Sequence, residues 1–468
     1  MTPNCSLPVV RDMAASPRPD FRWSSLAAYF CRFEPSLQKR IVAGATWSIV
    51  GAGLASGLTM ISNIACARFL GAAHFGELAI VLATVNLLTT LFAAGLGMTA
   101  SRYVAEHRNS DPKRAGTIIG LSWVTSIVVG AATALLVPLL APWLSRGILH
   151  ASGLSSAVSL AGVVMFFAAL NGSQVGTLSG LEAFNKVAFG NLVRGTGMIL
   201  FVIIGAALGG VSGALLGHVA AGAATAVFYQ SAVRQECAMR GIAISYTFGR
   251  EDLRILRQFT FPVLVTNLCF APAAWWCNVL LANKSGYSEV GVFNATLHWQ
   301  LLITFFSNAI SNIGLPMLSN LRAEQDPAKY KRCLALNFLL TSAPAITIAV
   351  PVAICAPFIM PLYGPAFGHG ATALALISLA AVLSAINLPV GHVIWSLDAT
   401  ISAVLLALLR SGALVISSHA LARGGATGLA WAYVIMGIIQ TVATVPFTVW
   451  ILRRKLAPAA SLEEIALA

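Results

Sequence analysis

The sequence predicts an all-α polytopic membrane protein, and three observations lead to this prediction. Of the 468 residues, 57% are apolar and only 10% are charged. The mean hydropathy is +0.81. Soluble domains carry roughly 25% charged residues, so a chain of this composition cannot cover a surface that faces water. The uncharged windows are also continuous and as long as helices, whereas the strands of a membrane barrel alternate apolar and polar residues.

The first three uncharged windows cover residues 41–67, 78–101 and 115–145. About 20 apolar residues are enough to cross a bilayer as a helix, because every backbone group in lipid must be bonded internally. Glycine- and proline-rich turns separate the later windows. The complete prediction is twelve spans, at residues 41–66, 77–101, 116–140, 156–179, 187–208, 211–233, 258–283, 290–318, 333–356, 371–392, 400–421 and 427–451.

The distribution of positive charge predicts the orientation. The net charge is +13, which in a soluble protein would suggest nucleic acid. With both termini in the cytoplasm, however, most Lys and Arg fall on the inner side. The predicted outer loops hold only Arg68, Arg146, Lys284 and Arg423. This asymmetry follows the positive-inside rule, so we expect an inner-face excess of charge and no nucleic-acid partner.

The chain is expected to divide into five parts. Residues 1–40 form a cytoplasmic leader that we expect to be disordered, with no apolar segment of the kind found in signal peptides. Two six-helix bundles, 41–233 and 258–452, are joined by a basic cytoplasmic linker, 234–257, and followed by a tail, 453–468. The eight cysteines are scattered without metal or redox spacing, so no cofactor is expected.

The two bundles are predicted to be copies of each other. Several turn and loop residues recur at an offset of 215 positions, or 216 after a slip of one residue. The matched pairs include Gly71 and Gly286, Gly76 and Gly291, Gly209-Gly210 and Gly424-Gly425, Asp111-Pro112 and Asp326-Pro327, and Arg194 and Arg410. Each copy holds an even number of spans, so the repeat is parallel and its pseudo-two-fold axis runs along the membrane normal. Two such bundles enclose a central cavity and are expected to rock about it, exposing the cavity to each side of the membrane in turn.

Three stretches resemble a known family. They are ARFLGAAHFGELAIV (67–81), GLGMTASRYVAEHRNSDP (95–112) and LSGLEAFNKVAFGNLVRGTGMILFV (178–202). They are similar to the Wzx-type flippases, the polysaccharide-transporter branch of the multidrug/oligosaccharidyl-lipid/polysaccharide (MOP) superfamily, over roughly residues 40–455.

This resemblance implies a MOP-like fold and a multi-pass location in the bacterial inner membrane. It also implies transport of an undecaprenyl-diphosphate-linked oligosaccharide, as in O-antigen or exopolysaccharide assembly. The implied partners are this substrate, membrane lipids and other membrane proteins of polysaccharide assembly. A monomer suffices for a mechanism with two halves.

Such a substrate requires cations for its diphosphate, and the candidates are Arg194, Arg410 and Arg68. Arg is suited to phosphate because its guanidinium stays charged and donates two parallel hydrogen bonds. An ionisable group within a span usually faces a cavity or a partner. Arg194 and Arg410 could also extend to the headgroups or form structural pairs. Arg68 could simply stabilise the end of a helix.

The glycan requires polar and aromatic side chains. The candidates on the first, seventh and eighth spans, which line the cavity in the superfamily, are Asn63, Asn278, Trp275, Trp276, His298 and Gln300. The alternative interpretation is structural, because Asn also joins membrane helices and Trp favours membrane interfaces. His298 could in addition titrate and couple transport to protons.

Two other functions remain open from the sequence. A drug or cation exporter of the multidrug and toxic compound extrusion (MATE) branch shares the fold but often uses acids within the membrane. Here the matched pair Glu182 and Asp398 lies at the inner ends of spans. A polysaccharide polymerase or ligase would be an enzyme, and such enzymes usually carry a large outer loop with reactive residues. The outer loops here are short, so the sequence favours a transporter.

Overall fold

The computed structural model describes residues 35–92, 94–249, 270–323, 327–396 and 400–455. Most of the leader, part of the linker, all but three residues of the tail, and Asp398 lie outside these ranges. The chain divides into two compact units, Met1–Thr46 and Trp47–Ala468. Of the first, only the beginning of one helix is described. The contacts below all belong to the second unit.

The described residues are almost entirely helical. The long helices are α1 (Pro35–Phe92), α2 (Ala94–His107), α3 (Pro112–Trp143), α4 (Ser155–Gly180), α5 (Phe184–Gly197), α6 (Ile203–Met239), α7 (Ala271–Ser285), α8 (Tyr287–Ala323), α9 (Pro327–Ile354), α10 (Ala371–Ser396), α11 (Thr400–Leu421) and α12 (Gly425–Lys455). Short helical turns connect several of them. The prediction of an all-α membrane protein is confirmed.

Seven helical segments within the described residues are long and apolar enough to cross a membrane. Three of them are unusually long, with 43, 56 and 51 residues. At 1.5 Å per residue, 43 residues extend about 65 Å, roughly twice the thickness of the hydrocarbon core. Each long segment contains a glycine at which the helical backbone is interrupted, where the sequence predicts a turn between two spans. The number of twelve spans remains a prediction.

The repeat is visible in the backbone conformation of these glycines. Gly71 has φ 74° and ψ 169°, and its mate Gly286 has φ 90° and ψ 167°. Gly210 has φ 58° and ψ −137°, and its mate Gly425 has φ 64° and ψ −149°. Positive φ is accessible to glycine at little cost because glycine has no Cβ. Both pairs of turns therefore adopt matching conformations 215 residues apart.

One apolar core extends through both halves of the second unit. It includes Phe75, which is 2% exposed, and Phe367, which is 1% exposed. Their rings lie 6.0 Å apart in an edge-to-face arrangement. A shared core of this kind means that the halves are packed as one body in this conformation.

Two predicted boundaries differ from the structure. Helix α1 begins at Pro35, inside the predicted leader, and α6 continues to Met239, inside the predicted linker. Residues 242–249 then run along α3, where the Ser245 amide donates to the Gly116 carbonyl oxygen at 3.3 Å. The rings of Trp123 and Tyr246 lie 5.9 Å apart. The described part of the linker is therefore packed against the first half.

Candidate functional site

A cavity of about 480 Å³ lies between the two halves. This volume falls within the ~300–1,000 Å³ that is typical of small-molecule sites. Its walls come from α1 on one side and from Phe270, α7, α8 and α12 on the other. The lining residues are Asn63, Phe75, Leu78, Ala79, Leu82, Ala83, Asn86, Thr90, Phe270, Ala271, Ala274, Trp275, Asn278, Asn294, Leu297, His298, Leu301 and Tyr433.

Amide side chains form the polar part of this wall. The Asn294 Nδ2 group donates to Asn278 Oδ1 at 2.8 Å, and Asn278 Nδ2 donates to the Ala274 carbonyl oxygen at 3.0 Å. Across the interface between the halves, Asn63 Nδ2 lies 3.4 Å from His298 Nδ1. Amides present both donors and acceptors, which is the combination that sugar hydroxyl groups require. Among the residues that the structure describes, the cavity lining contains no Asp, Glu, Lys or Arg.

A second polar contact between the halves lies beside this cavity. Trp275 Nε1 donates to Thr84 Oγ1 at 2.9 Å. Thr84 is 4% exposed and its hydroxyl in turn donates to the Ile80 carbonyl oxygen at 2.9 Å. The Trp275 ring is thereby held against the cavity while its only polar atom is satisfied.

The structure places some of the candidate glycan residues together and separates others. Asn63, Asn278, Trp275 and His298 all line the cavity. Trp276 is 39% exposed and, like Gln300, is absent from the lining. Consecutive residues on a helix point about 100° apart, and here Trp275 lines the cavity whereas Trp276 does not.

The three candidate arginines are not brought together. Arg68 and Arg194 are exposed, and neither lines the cavity. Arg410 lies directly behind the wall, with its guanidinium carbon 3.9 Å from the centre of the Phe270 ring. Its Nε is buried and has no hydrogen-bond partner. Among the described contacts, Arg410 is thus the candidate arginine that touches a lining residue.

The sequence reasoning missed several lining residues, among them Asn86, Asn294, Phe270 and Tyr433. For Asn86 and Asn294 the signal was available, because each is an amide within or beside an apolar span, as Asn63 and Asn278 are. Phe270 and Tyr433 carried no such signal, since aromatic residues are common throughout the spans. Within the described residues, no group of three or more His, Cys, Asp and Glu could hold a metal ion.

Contacts between the halves close one end of the cavity, the end that the charge distribution predicts to be the outer one. The Tyr287 hydroxyl donates to the Leu149 carbonyl oxygen at 2.7 Å. Asn283 Nδ2 donates to the Ile148 carbonyl oxygen at 3.1 Å. Burial is the main cause that raises the pKa of Tyr287 to about 12, and the nearby Glu77 carboxylate raises it further. The phenol is therefore neutral and able to donate at physiological pH.

A comparison with known families identifies the chain. The family described as "Polysaccharide biosynthesis protein" matches residues 41–322, which is more than half of the sequence. The chain belongs to this family.

Individual proteins also resemble this chain in sequence and in fold. The EPS I polysaccharide export inner membrane protein EpsE of Ralstonia solanacearum is 24% identical over 351 residues, covering 72% of this chain and 77% of EpsE. An inward-facing structure of a multidrug resistance MATE transporter of the MOP superfamily superposes with a TM-score of 0.64 at 17% identity. It covers 90% of this chain and 96% of the transporter.

An outward-facing structure of a MATE transporter of the same superfamily gives a TM-score of 0.66 at 16% identity, covering 88% of this chain and 96% of the transporter. The chain therefore has the MOP fold. The predicted family resemblance is confirmed.

Proposed function

We propose that this protein is a flippase for a lipid-linked oligosaccharide, moving undecaprenyl-diphosphate-linked repeat units from the inner to the outer leaflet of the bacterial inner membrane. The observation that carries the proposal is the composition of the central cavity. Both halves contribute to its lining, in which the described residues include four Asn and several aromatic side chains but no Asp or Glu. A cavity of this kind suits a neutral, hydroxyl-rich cargo better than a cation.

The glycan would bind along the amides and the indole. Asn63, Asn86 and Asn294 supply donors and acceptors, and the Trp275 ring supplies an apolar face on the cavity wall. An exporter of cationic drugs would gain most from carboxylates, which attract the positive charge of the cargo in a low-dielectric site. Their absence from the lining favours the sugar cargo over the drug cargo.

The diphosphate of the same substrate would bind Arg410. A guanidinium within the membrane that has no acidic partner is costly, and an anionic ligand offsets that cost. Arg410 has no carboxylate or hydrogen-bond partner among the described residues, and it touches Phe270 of the cavity wall. In this proposal Arg194 and Arg68 contact the substrate outside this cavity, since both side chains are exposed.

The relatives support a transport cycle of alternating access. EpsE is named for polysaccharide export at the inner membrane, and the MOP fold occurs in both inward-facing and outward-facing structures. The proposal places both termini in the cytoplasm, the lipid tail in the surrounding bilayer and the whole cycle within one monomer. It assigns no chemical step to the protein, which acts as a carrier rather than an enzyme.

The test is a leaflet assay in the host bacterium with the gene deleted and then restored. A sugar-modifying enzyme added from outside reports which lipid-linked oligosaccharides have reached the outer leaflet. We expect modified lipid to disappear in the deletion strain and to return when the parent gene is restored. When the restored gene carries Arg410→Ala or Asn278→Ala, the amount of modified lipid should be at least several-fold below that of the parent. Trp276→Phe serves as the matched control because Trp276 does not line the cavity.

Normal outward appearance of these lipids in the deletion strain, with homologous carriers also removed, would refute the flippase proposal. Sensitivity of that strain to cationic drugs, together with normal lipid transport, would assign the cavity to drug export instead.

A further inference from the structure

Arg410 lies behind one aromatic ring that separates it from the cavity. Phe270 and Tyr433 both line the cavity, whereas Arg410 does not. The guanidinium carbon lies 3.9 Å from the centre of the Phe270 ring, a cation–π contact. Arg410 has no hydrogen-bond partner among the described residues. The Phe270 ring thus contacts a half-buried positive charge and is also part of the cavity wall.

The first half lacks this ring. At the repeat offset of 215 residues, Phe270 corresponds to Ala55, and Arg410 corresponds to Arg194 after the slip of one residue. Ala55 lies beside the residue that follows Arg194, since a Cβ built on Gly195 would lie 3.5 Å from the Ala55 Cα. Position 55 carries only a methyl group, and Arg194 is exposed, whereas Arg410 is partly buried. The two halves therefore hold equivalent arginines, of which one is covered and the other is not.

We propose that Phe270 is a displaceable cover that makes Arg410 a conditional site for a phosphate or diphosphate group. This inference rests on the proposed function. The ring lies on the guanidinium when the cavity is empty, and an entering diphosphate displaces it. A bidentate, charge-assisted bond between guanidinium and phosphate is stronger than a cation–π contact, so the exchange favours the anion. A neutral sugar makes no such bond and leaves the cover in place.

The position of Phe270 suits such a movement. It is the residue before the first turn of α7, and no side-chain hydrogen bond caps the helix there. The phenyl ring has no polar atom, so its rotation breaks no hydrogen bond. Arg410 lies on α11, where the adjacent Ser411 is buried at 7% exposure. The expected effect is selection, because only cargo with an anionic group gains the interaction.

The test measures binding of inorganic diphosphate to the purified full-length protein in lipid nanodiscs, by the shift in melting temperature on titration. Phe270→Leu keeps an apolar side chain but removes the aromatic face, and Phe270→Ala removes most of the cover. We expect both variants to bind diphosphate about two- to thirtyfold more tightly than the parent, the range that corresponds to loss of a cation–π contact. Adding Arg410→Ala to either variant should abolish this gain, whereas adding Arg194→Ala should leave it intact.

Two results would overturn the inference. One is an unchanged affinity in both Phe270 variants, provided that each melts cooperatively as the parent does. The other is a gain in affinity that persists when Arg410→Ala is added. Because the probe is diphosphate and the protein is purified, these outcomes are independent of the leaflet assay. A failed leaflet assay with the expected diphosphate binding would reject the flippase proposal and leave the covered anion site standing.

Discussion

Gly76 and Gly291, which occupy equivalent positions in the two halves, meet backbone to backbone. A Cβ added to Gly76 would overlap the Tyr287 carbonyl oxygen and lie 2.9 Å from the Gly291 amide nitrogen. A Cβ added to Gly291 would overlap the Ala72 carbonyl oxygen and lie 3.1 Å from the Gly76 amide nitrogen. The closed end of the cavity therefore depends on a contact that only glycine permits at both positions.

Gly76→Ala and Gly291→Ala are each expected to shift the protein towards a conformation that is open at this end. Overpacking against a backbone costs about 1–3 kcal/mol, which changes the ratio of closed to open protein roughly 5- to 150-fold. The measurement uses a variant lacking the eight native cysteines and carrying Ala72→Cys, a position that is 6% exposed. Its rate of labelling by a membrane-impermeant maleimide should rise in both alanine variants.

Gly57→Ala is the control for this experiment. Gly57 lies on the same helix, α1, and a Cβ there would meet nothing within 4 Å. Its variant should label at the parental rate. Equal labelling rates in all the variants would show that the glycine contact does not hold this end closed.

Trp275→Phe should weaken the junction of the halves while leaving an aromatic ring at the cavity. It removes the 2.9 Å hydrogen bond to Thr84, and a typical hydrogen bond contributes about 0.5–1.5 kcal/mol. We expect a lower melting temperature in nanodiscs and reduced outward transport in the leaflet assay. Trp276→Phe should leave both quantities at the parental value, and an equal effect of the two substitutions would contradict the role assigned to Trp275.

Asn278→Ala and Asn294→Ala are expected to act on one interaction, the 2.8 Å bond between their amides. Measured by melting temperature, the double variant should therefore be less destabilised than the sum of the two single variants. Contacting pairs typically show coupling energies of about 0.5–3 kcal/mol, and hydrogen bonds between membrane helices average about 0.6 kcal/mol. Strict additivity in the double-mutant cycle would mean that the two amides are independent.

The Tyr287 contact should make the closed end sensitive to strongly alkaline pH. Burial raises the Tyr287 pKa from 10.0 to about 12, so the folded protein holds this proton more tightly than the unfolded chain does. The resulting stabilisation is complete below pH 10 and is lost as the pH rises from about 10 to 12. The difference in ultraviolet absorbance between the parent and Tyr287→Phe, followed as a function of pH, should show a phenol that titrates near pH 12. A phenol that titrates near pH 10 would show that Tyr287 is not buried in the closed state.

The sequence predicted the fold well because the signals for it are local and repeated. Uncharged windows indicate helices by length alone, and the glycine pairs are matched at a fixed offset. The pair Gly71 and Gly286 thus predicted equivalent turns from the sequence alone. The boundaries at Pro35 and Met239 were less accurate, because a helix that continues out of the membrane into water shows no change in backbone preference.

The cavity was only partly predictable. Amides within apolar spans are conspicuous in a sequence, so Asn63 and Asn278 could be selected. The choice between Trp275 and Trp276 depends on the rotation of α7 about its axis, which the sequence does not define. The placement of Arg410 behind Phe270 depends on the packing of α7 against α11. Those residues are 140 positions apart, and no local pattern records their contact.

The turn glycines also bear on how such a chain could have arisen. The contact between Gly76 and Gly291 is isologous, because each residue meets its own counterpart across the pseudo-two-fold axis. A half-length ancestor with the same turn would have met a second copy of itself in this way, as a symmetric dimer. Fusion of two such genes required no new interface, and it freed each half to change alone. Position 270 carries the aromatic Phe270, whereas the equivalent position in the first half carries Ala55. A symmetric dimer has one sequence in both copies, so it could not differ between its halves in this way.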